Sequence, residues 1–182
     1  WLALVSFAGI LILKSKYFER KKLFLLISTI ALTIILTLYP LRDLVFTRVS
    51  NSATATEQNS ILGRLWYTQQ AMEMAQKHPL SGGGIGSFVL ELSDIAVDGV
   101  LVEPVHNIFY LVTAELGIVG LILMIGLFIS IAWNIFKARS PQAILASATL
   151  TGLGVISLFD HYLWTIAPGR LLLGLALGLW AG

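Results

Sequence analysis

The chain has 182 residues, of which 57% are hydrophobic and only 12% are charged, and its mean hydropathy is +0.84. Soluble domains carry about 25% charged residues, so this composition excludes a soluble enzyme. The net charge of +2 is too small for a nucleic-acid-binding protein, and the absence of cysteine excludes disulfides, thiolate metal sites and cysteine nucleophiles. Because the apolar runs are too long for core strands, we predict an all-α, polytopic integral membrane protein.

Two membrane spans are predicted in residues 1–41. Residues 1–13 are apolar but too short to cross a bilayer, since a spanning helix needs about 20 residues. We therefore expect a truncated first span. A basic loop at 14–22 leads into a second span over 23–41, which is expected to end near Pro40.

Residues 105–182 contain three further predicted membrane segments. A long helix covers 106–136 and a shorter span covers 143–159. The last segment begins at Leu163, is expected to break at Pro168-Gly169 and is truncated like the first. We expect missing spans on both sides of the chain, and together the segments indicate a fragment of a helical bundle.

The distribution of basic residues orients these spans. Loop 14–22 has five basic residues and one acidic residue, and loop 137–141 has two basic residues and no acidic one. Residues 42–104 have four basic and seven acidic residues. Because cytoplasmic loops are enriched in Lys and Arg, both basic loops are predicted to be cytoplasmic and residues 42–104 to form a large extracytoplasmic loop.

This extracytoplasmic loop contains distinct predicted elements. Residues 64–78 favour a helix at the membrane surface, ended by Pro79, and residues 51–58 favour a mobile polar loop. Residues 88–103 are acidic and irregular, with room for one short helix. The glycine-rich residues 81–87 form a turn or loop, with a backbone phosphate nest as the alternative. They lack the Lys of a P-loop.

His106 lies at the outer mouth of the third predicted span. On a straight helix, Gly117 and Gly120 fall within about 40° of His106, whereas Glu115 falls about 180° away. Small residues on one helix face allow close packing or leave room for a lipid chain. The alternative interpretation of His106 is a solvated interfacial histidine.

Several other polar residues are candidates for the same outer site. Arg64 and Arg48 can grip a phosphate with a two-pronged contact, or they are simply solvated. Asp160, His161 and Arg170 either line an outer cavity or mark a polar turn and a snorkelling side chain. The histidine spacing supports no metal site.

Two segments form specific sequence motifs. His106-Asn107, nine residues, Gly117, two residues and Gly120 fit the pattern H-[N/S/Q]-x9-G-x-x-[G/T/V], and the segment GRLWYTQQAMEMAQKHPLSGGGIGSF lies upstream at 63–88. Both segments resemble those of the O-antigen ligase superfamily, which also contains the O-antigen polymerases. The resemblance covers roughly residues 60–136.

The resemblance implies a GT-C-like membrane glycosyltransferase in the bacterial inner membrane, with its active site on the periplasmic side. Such ligases transfer a glycan from undecaprenyl pyrophosphate to a lipid A-core acceptor without a metal or other cofactor. His106 matches the essential histidine of the family, which positions or deprotonates the acceptor hydroxyl, and Arg64 matches its loop arginine. Arg48, without a clear counterpart, and Asn107 are added as substrate-binding candidates. Gly117 and Gly120 are assigned to a polyprenyl groove or to helix packing.

Two kinds of alternative remain open. An O-antigen polymerase, or a protein O-oligosaccharyltransferase, uses the same donor with a glycan or a protein as acceptor. A membrane transporter is the non-enzymatic alternative, but it typically has paired polar residues near the midplane. The polar residues here gather at the outer mouth, which favours chemistry at the outer face.

Overall fold

The computed structural model describes residues 1–49, 55–95 and 102–181, together with their side chains except at 44–49, 55–57 and 95. In these ranges the chain is helical and contains no strand, so the all-α prediction is confirmed. A 3₁₀ turn covers Ser15–Tyr17. The helices are α1 (Leu2–Leu13), α2 (Arg20–Val49), α3 (Ala55–Lys77), α4 (Ser87–Ile95), α5 (Ile108–Lys137), α6 (Pro141–Ser157), α7 (Tyr162–Thr165) and α8 (Ala167–Ala181).

In the part of the chain that the structure describes, two helices are long and apolar enough to cross a membrane. They are α2, over Arg20–Asp43, and α5. Helices α1, α6 and α8 are apolar but shorter. No residue in the apolar stretch of α2 is buried among the described residues, whereas α5 packs against several neighbours.

Two elements before the glycine-rich loop extend beyond their predicted boundaries. Helix α2 continues to Val49, past the predicted end of the span near Pro40, and its candidate membrane span is Arg20–Asp43. A proline removes one backbone hydrogen bond, and a long apolar helix tolerates this loss. Helix α3 begins at Ala55 instead of Arg64, so part of the expected mobile loop is helical, while residues 51–54 lie outside the described residues. Ala, Glu and Gln there are good helix formers.

The break in the last segment also differs from the prediction. It lies at Ile166, which has an extended backbone, and Pro168 and Gly169 belong to the first turn of α8. A proline fits the first turn of a helix because its missing N–H would have no partner there. Gly169 packs against the carbonyl of Tyr162, so α7 and α8 approach closely.

Three apolar clusters hold these helices together. The first joins α3 and α4 to the start of α5, and the second joins α5 to α6, α7 and α8. The third joins α1 to α6 near the end of α5. Helix α5 therefore takes part in both clusters that surround its N-terminal end, where His106 lies.

Candidate functional site

Helix α5 is broken at Gly117. This residue has φ 65° and ψ −165°, which is outside the helical region, although residues on both sides are helical. Such a break leaves the last carbonyls of the first segment (108–116) and the first N–H groups of the second segment (118–137) without partners in their own helix.

The glycine-rich loop supplies those partners. The N–H groups of Gly83 and Gly84 donate to the carbonyls of Ala114 and Glu115, at 3.0 and 2.8 Å. In return, the N–H of Ile118 donates to the carbonyl of Pro79, at 2.9 Å. The loop between α3 and α4 thus satisfies backbone groups on both sides of the break and connects α3 to α5.

This arrangement requires glycine at two facing positions. Gly82 has φ 66° and Gly117 has φ 65°, a left-handed conformation that side chains disfavour. A Cβ at Gly82 would collide with the backbone of Glu115 and Leu116, and one at Gly117 with the backbone of Leu80. The loop N–H groups of Gly83 and Gly84 are used here, which argues against the phosphate-nest alternative.

The prediction of one straight stripe from His106 to Gly120 is therefore wrong, because its premise was an unbroken helix. Gly117 lies at the break, against the loop. Glu115, predicted to lie about 180° from His106, is 2% exposed, and its Oε2 accepts a hydrogen bond from Trp164 Nε1 of α7 at 2.8 Å. Gly120 is buried in the second segment of α5.

Asn107 places His106 at the start of α5. Its side chain is the N-cap of the helix, with Oδ1 accepting from the N–H of Phe109 at 2.9 Å. Its Nδ2 donates to the carbonyl of Leu158 in the turn after α6, at 3.1 Å. The amide oxygen of Asn107 thus caps α5 and its amide nitrogen binds the turn after α6. Both ends of this predicted substrate-binding side chain are engaged in joining the two elements.

His106 directly precedes this cap and faces two titratable side chains. Its Nε2 lies 3.9 Å from Oε2 of Glu103, and its ring centroid lies 5.4 Å from that of His161 in an edge-to-face contact at 76°. The His106 side chain is 25% exposed, but its Nδ1 is buried and has no hydrogen-bond partner among the described residues. One edge of the ring is therefore open and the other is enclosed.

His161 is held by its own short helix. Its Nδ1 lies 2.6 Å from Oγ1 of Thr165, and neighbouring Asp160 accepts a hydrogen bond from the N–H of Tyr162. In this turn between α6 and α7, burial lowers the pKa of His161 below its usual 6.5; His106 acts in the same direction, and Asp160 and Glu103 oppose it. Arg170 is exposed on α8.

Arg64 is exposed on α3, and the backbone of Arg48 lies in α2, with its side chain outside the described residues. Tyr67 follows Arg64 by about one helical turn. The hydroxyl of Tyr67 accepts a hydrogen bond from the N–H of Glu103 at 3.3 Å. The contacts thus link the Arg64 face of α3 to the segment that carries Glu103 and His106.

An apolar cavity of about 290 Å³ lies between α5, α6, α7 and α8. Ile108 lines it, and so does Gly120, which the sequence assigned to a groove. Its other lining residues include Val112, Met124, Leu150, Leu163 and Leu173. Of the lining residues, Ile108 is the one nearest to His106 in the sequence, two residues after it.

Sequence reasoning did not single out Glu103 or Tyr67. Glu103 lies three residues before His106 in the stretch EPVHN, and this short separation in the sequence could have indicated that the two side chains are close. No sequence signal places His161, 55 residues after His106, against the ring of His106. The contact depends on how α6 and α7 fold back onto α5.

A family model described as O-antigen ligase matches residues 1–125. No curated protein and no solved structure matches the chain. The matched segment is 125 of the 182 residues. It contains Arg64, the glycine-rich loop, His106 and the part of α5 that includes the break at Gly117. The chain therefore belongs to the O-antigen ligase family, whose members are membrane enzymes of glycan transfer.

Proposed function

We propose that this chain acts as a membrane glycosyltransferase of the ligase type, which moves a glycan from undecaprenyl pyrophosphate to a lipid A-core or similar acceptor. The observation that carries the proposal is the position of His106 in a segment that matches the ligase family. Its ring is partly exposed and lies 3.9 Å from a carboxylate oxygen, and Ile108, two residues further along the chain, lines an apolar cavity. A polar mouth next to an apolar pocket suits a substrate with a charged head and a lipid tail.

In the proposed reaction, His106 accepts the proton of the acceptor hydroxyl. The hydroxyl oxygen attacks the anomeric carbon of the donor sugar and forms the new glycosidic bond. The bond from that carbon to the pyrophosphate oxygen breaks, and undecaprenyl pyrophosphate leaves with the bonding electrons. Glu103 stabilises the imidazolium that forms on His106, since a nearby carboxylate favours the charged form of histidine.

The proposed role of Arg64, with Arg48, is to hold the donor pyrophosphate. A guanidinium binds phosphate through two parallel N–H groups and stabilises the charge that develops on the leaving group. Arg64 is exposed on the face of α3 that contacts the Glu103 segment through Tyr67. This position favours contact with a pyrophosphate group at the mouth of the site.

Arg64 can be tested by substitution in the full-length enzyme. We expect Arg64→Ala to lower glycan transfer by about a hundredfold, and Arg64→Lys to recover little, because an ammonium group cannot reproduce the two-pronged contact. The measurement is transfer from a purified lipid-linked donor. Lys77→Ala is the control, because Lys77 is a cation on the same helix, 3.8 Å from Glu91. Full transfer by Arg64→Ala would remove Arg64 from the site.

The apolar cavity is proposed to receive the first isoprene units of the donor. Its lining is apolar, and Gly120 packs so closely against Leu116 that a Cβ at Gly120 would collide with the Leu116 side chain. Burial of lipid there stabilises binding by about 25 cal/mol per Å² of apolar surface. Gly117 has no part in this groove in our proposal, because it packs against the loop.

We further propose a multi-pass arrangement in the bacterial inner membrane, with residues 42–104 on the periplasmic side. The excess of Lys and Arg in residues 14–22 and 137–141 supports this orientation. Two helices of sufficient length and apolarity are compatible with it.

Cysteine labelling tests the orientation cleanly, because the chain has no native cysteine. Ser93 on α4 and Ser15 in the basic loop are both exposed. In intact spheroplasts, we expect an impermeant maleimide to label Ser93→Cys but to label Ser15→Cys only after the membrane is permeabilised. The reverse pattern would contradict the orientation.

The acceptor is tested by the glycan phenotype of a deletion strain. Loss of a ligase leaves polymerised glycan on the lipid carrier, whereas loss of a polymerase leaves single repeat units on the finished acceptor. Loss of a protein O-oligosaccharyltransferase removes glycan from protein instead. We expect the first phenotype, and either of the others would overturn the ligase assignment within the family.

A further inference from the structure

We propose that His161 is a positioning residue for His106. The ring of His161 holds His106 in the orientation and tautomer that leave the exposed nitrogen of His106 free to accept a proton. This inference rests on the proposed function of His106 as the general base. His161 lies beyond residues 1–125, so the family match assigns it no role.

Thr165 fixes the orientation of the His161 ring. Its hydroxyl oxygen lies 2.6 Å from Nδ1 of His161 and 3.2 Å from the backbone carbonyl of the same residue. Whichever of Nδ1 and the hydroxyl is the donor in the shorter contact, that contact holds the plane of the ring.

Helix α7 is also fixed relative to α5. Asp160 accepts a hydrogen bond from the first N–H of α7, and Trp164 donates to the buried Glu115 of α5. Asn107 joins α5 to the turn just before His161. These three contacts set the distance between the two imidazole rings, so the ring of His161 restricts the position of the His106 ring.

The two edges of the His106 ring have different environments. Nδ1 is buried without a hydrogen-bond partner among the described residues, while Nε2 lies on the side of Glu103. The two rings meet edge to face at 76°, so His161 limits how far the ring of His106 can turn. Only the nitrogen that is not enclosed can receive a proton from a substrate, so we place the proton of neutral His106 on the enclosed Nδ1, which leaves Nε2 as the base.

Charge favours the same division of roles. The charged and titratable groups that act on His161 are Asp160, His106 and Glu103. Burial and His106 lower the pKa of His161 by more than Asp160 and Glu103 raise it, so the charged form of His161 is disfavoured. A neutral His161 does not repel the imidazolium that forms on His106. His161 thus remains a neutral support beside His106.

Substitution of His161 in the full-length enzyme tests this role. We expect His161→Ala to lower kcat by up to about a hundredfold, the cost of a misplaced catalytic group, with little change in KM. His161→Phe retains a ring at this position and should recover part of kcat. Thr165→Val frees the ring of His161 and should give an intermediate loss. His78→Ala is the matched control, because His78 is exposed at the end of α3.

Nitrogen-15 NMR of labelled histidine provides a readout independent of turnover. The His106 signals, assigned by their loss in His106→Ala, should report a proton on Nδ1 in the parent at neutral pH. In His161→Ala they should report a mixture of both tautomers, while His161→Phe should keep the parent pattern. Melting curves of each variant separate these effects from unfolding, and the Phe variant carries the test if the Ala variant unfolds.

Two results overturn the inference: kcat of His161→Ala within about twofold of the parent, or a His106 tautomer unchanged by that substitution. Failure of the proposed function looks different. In that case, His106→Ala would retain transfer, whatever the tautomer measured in the His161 variants.

Discussion

Glycan transfer by the full-length protein is expected to fall by about 10²- to 10⁴-fold in His106→Ala, the usual contribution of a general base. Binding of the lipid-linked donor should remain close to that of the parent, because the substitution removes a proton acceptor and leaves the apolar cavity intact. Transfer is measured with purified donor and acceptor, and donor binding is measured separately on the same preparation.

His78→Ala is again the control, since it removes an exposed histidine that directly follows α3. Glu103→Gln should produce a smaller loss than His106→Ala, because it removes the charge 3.9 Å from Nε2 but keeps the proton acceptor. Normal turnover by His106→Ala would contradict the mechanism, whatever the fold of the variant.

The second large effect is expected at the break in α5. Gly117→Ala should lower the free energy of unfolding by about 3 kcal/mol or more, because it adds backbone strain at φ 65° and a collision with the carbonyl of Leu80. Gly82→Ala should cost a similar amount, since it meets the backbone of Glu115 from the other side. Thermal unfolding in detergent measures both.

Gly126→Ala provides the matched control in the same helix. A Cβ at Gly126 meets nothing within 4 Å, and alanine favours a helix over glycine by about 0.5–1 kcal/mol. We therefore expect Gly126→Ala to be neutral or slightly stabilising. Equal stability of the Gly117→Ala and Gly126→Ala variants would show that the break and its loop contacts do not exist in solution.

The two substitutions should affect different properties, one the turnover and the other the stability of the fold. His106→Ala should lose turnover in a protein of parental stability, whereas Gly117→Ala should lose stability and misplace His106 as a consequence. The loop that closes the break also leads out of α3, so a damaged break displaces Arg64 relative to His106. Loss of both donor binding and turnover is then expected for Gly117→Ala.

Composition and hydropathy were sufficient to predict the helical class. Apolar runs such as 106–136 are too long for strands, and their backbone groups pair within each helix, so no tertiary information is needed. The motif around His106 was likewise sufficient to predict the O-antigen ligase family, which the match over residues 1–125 supports. Local patterns are read correctly when the interactions that produce them are themselves local.

The break at Gly117 and the pair of His106 and His161 depend instead on contacts between distant parts of the chain. A helical wheel assumes a straight helix, but a glycine tolerates φ 65° when other N–H groups and carbonyls replace those of the broken turn. Here the glycine-rich loop, more than 30 residues earlier, supplies them. His161 meets His106 because Asn107 and Glu115 tie α5 to the turn and helix that follow α6, and no periodicity within either helix encodes those bonds.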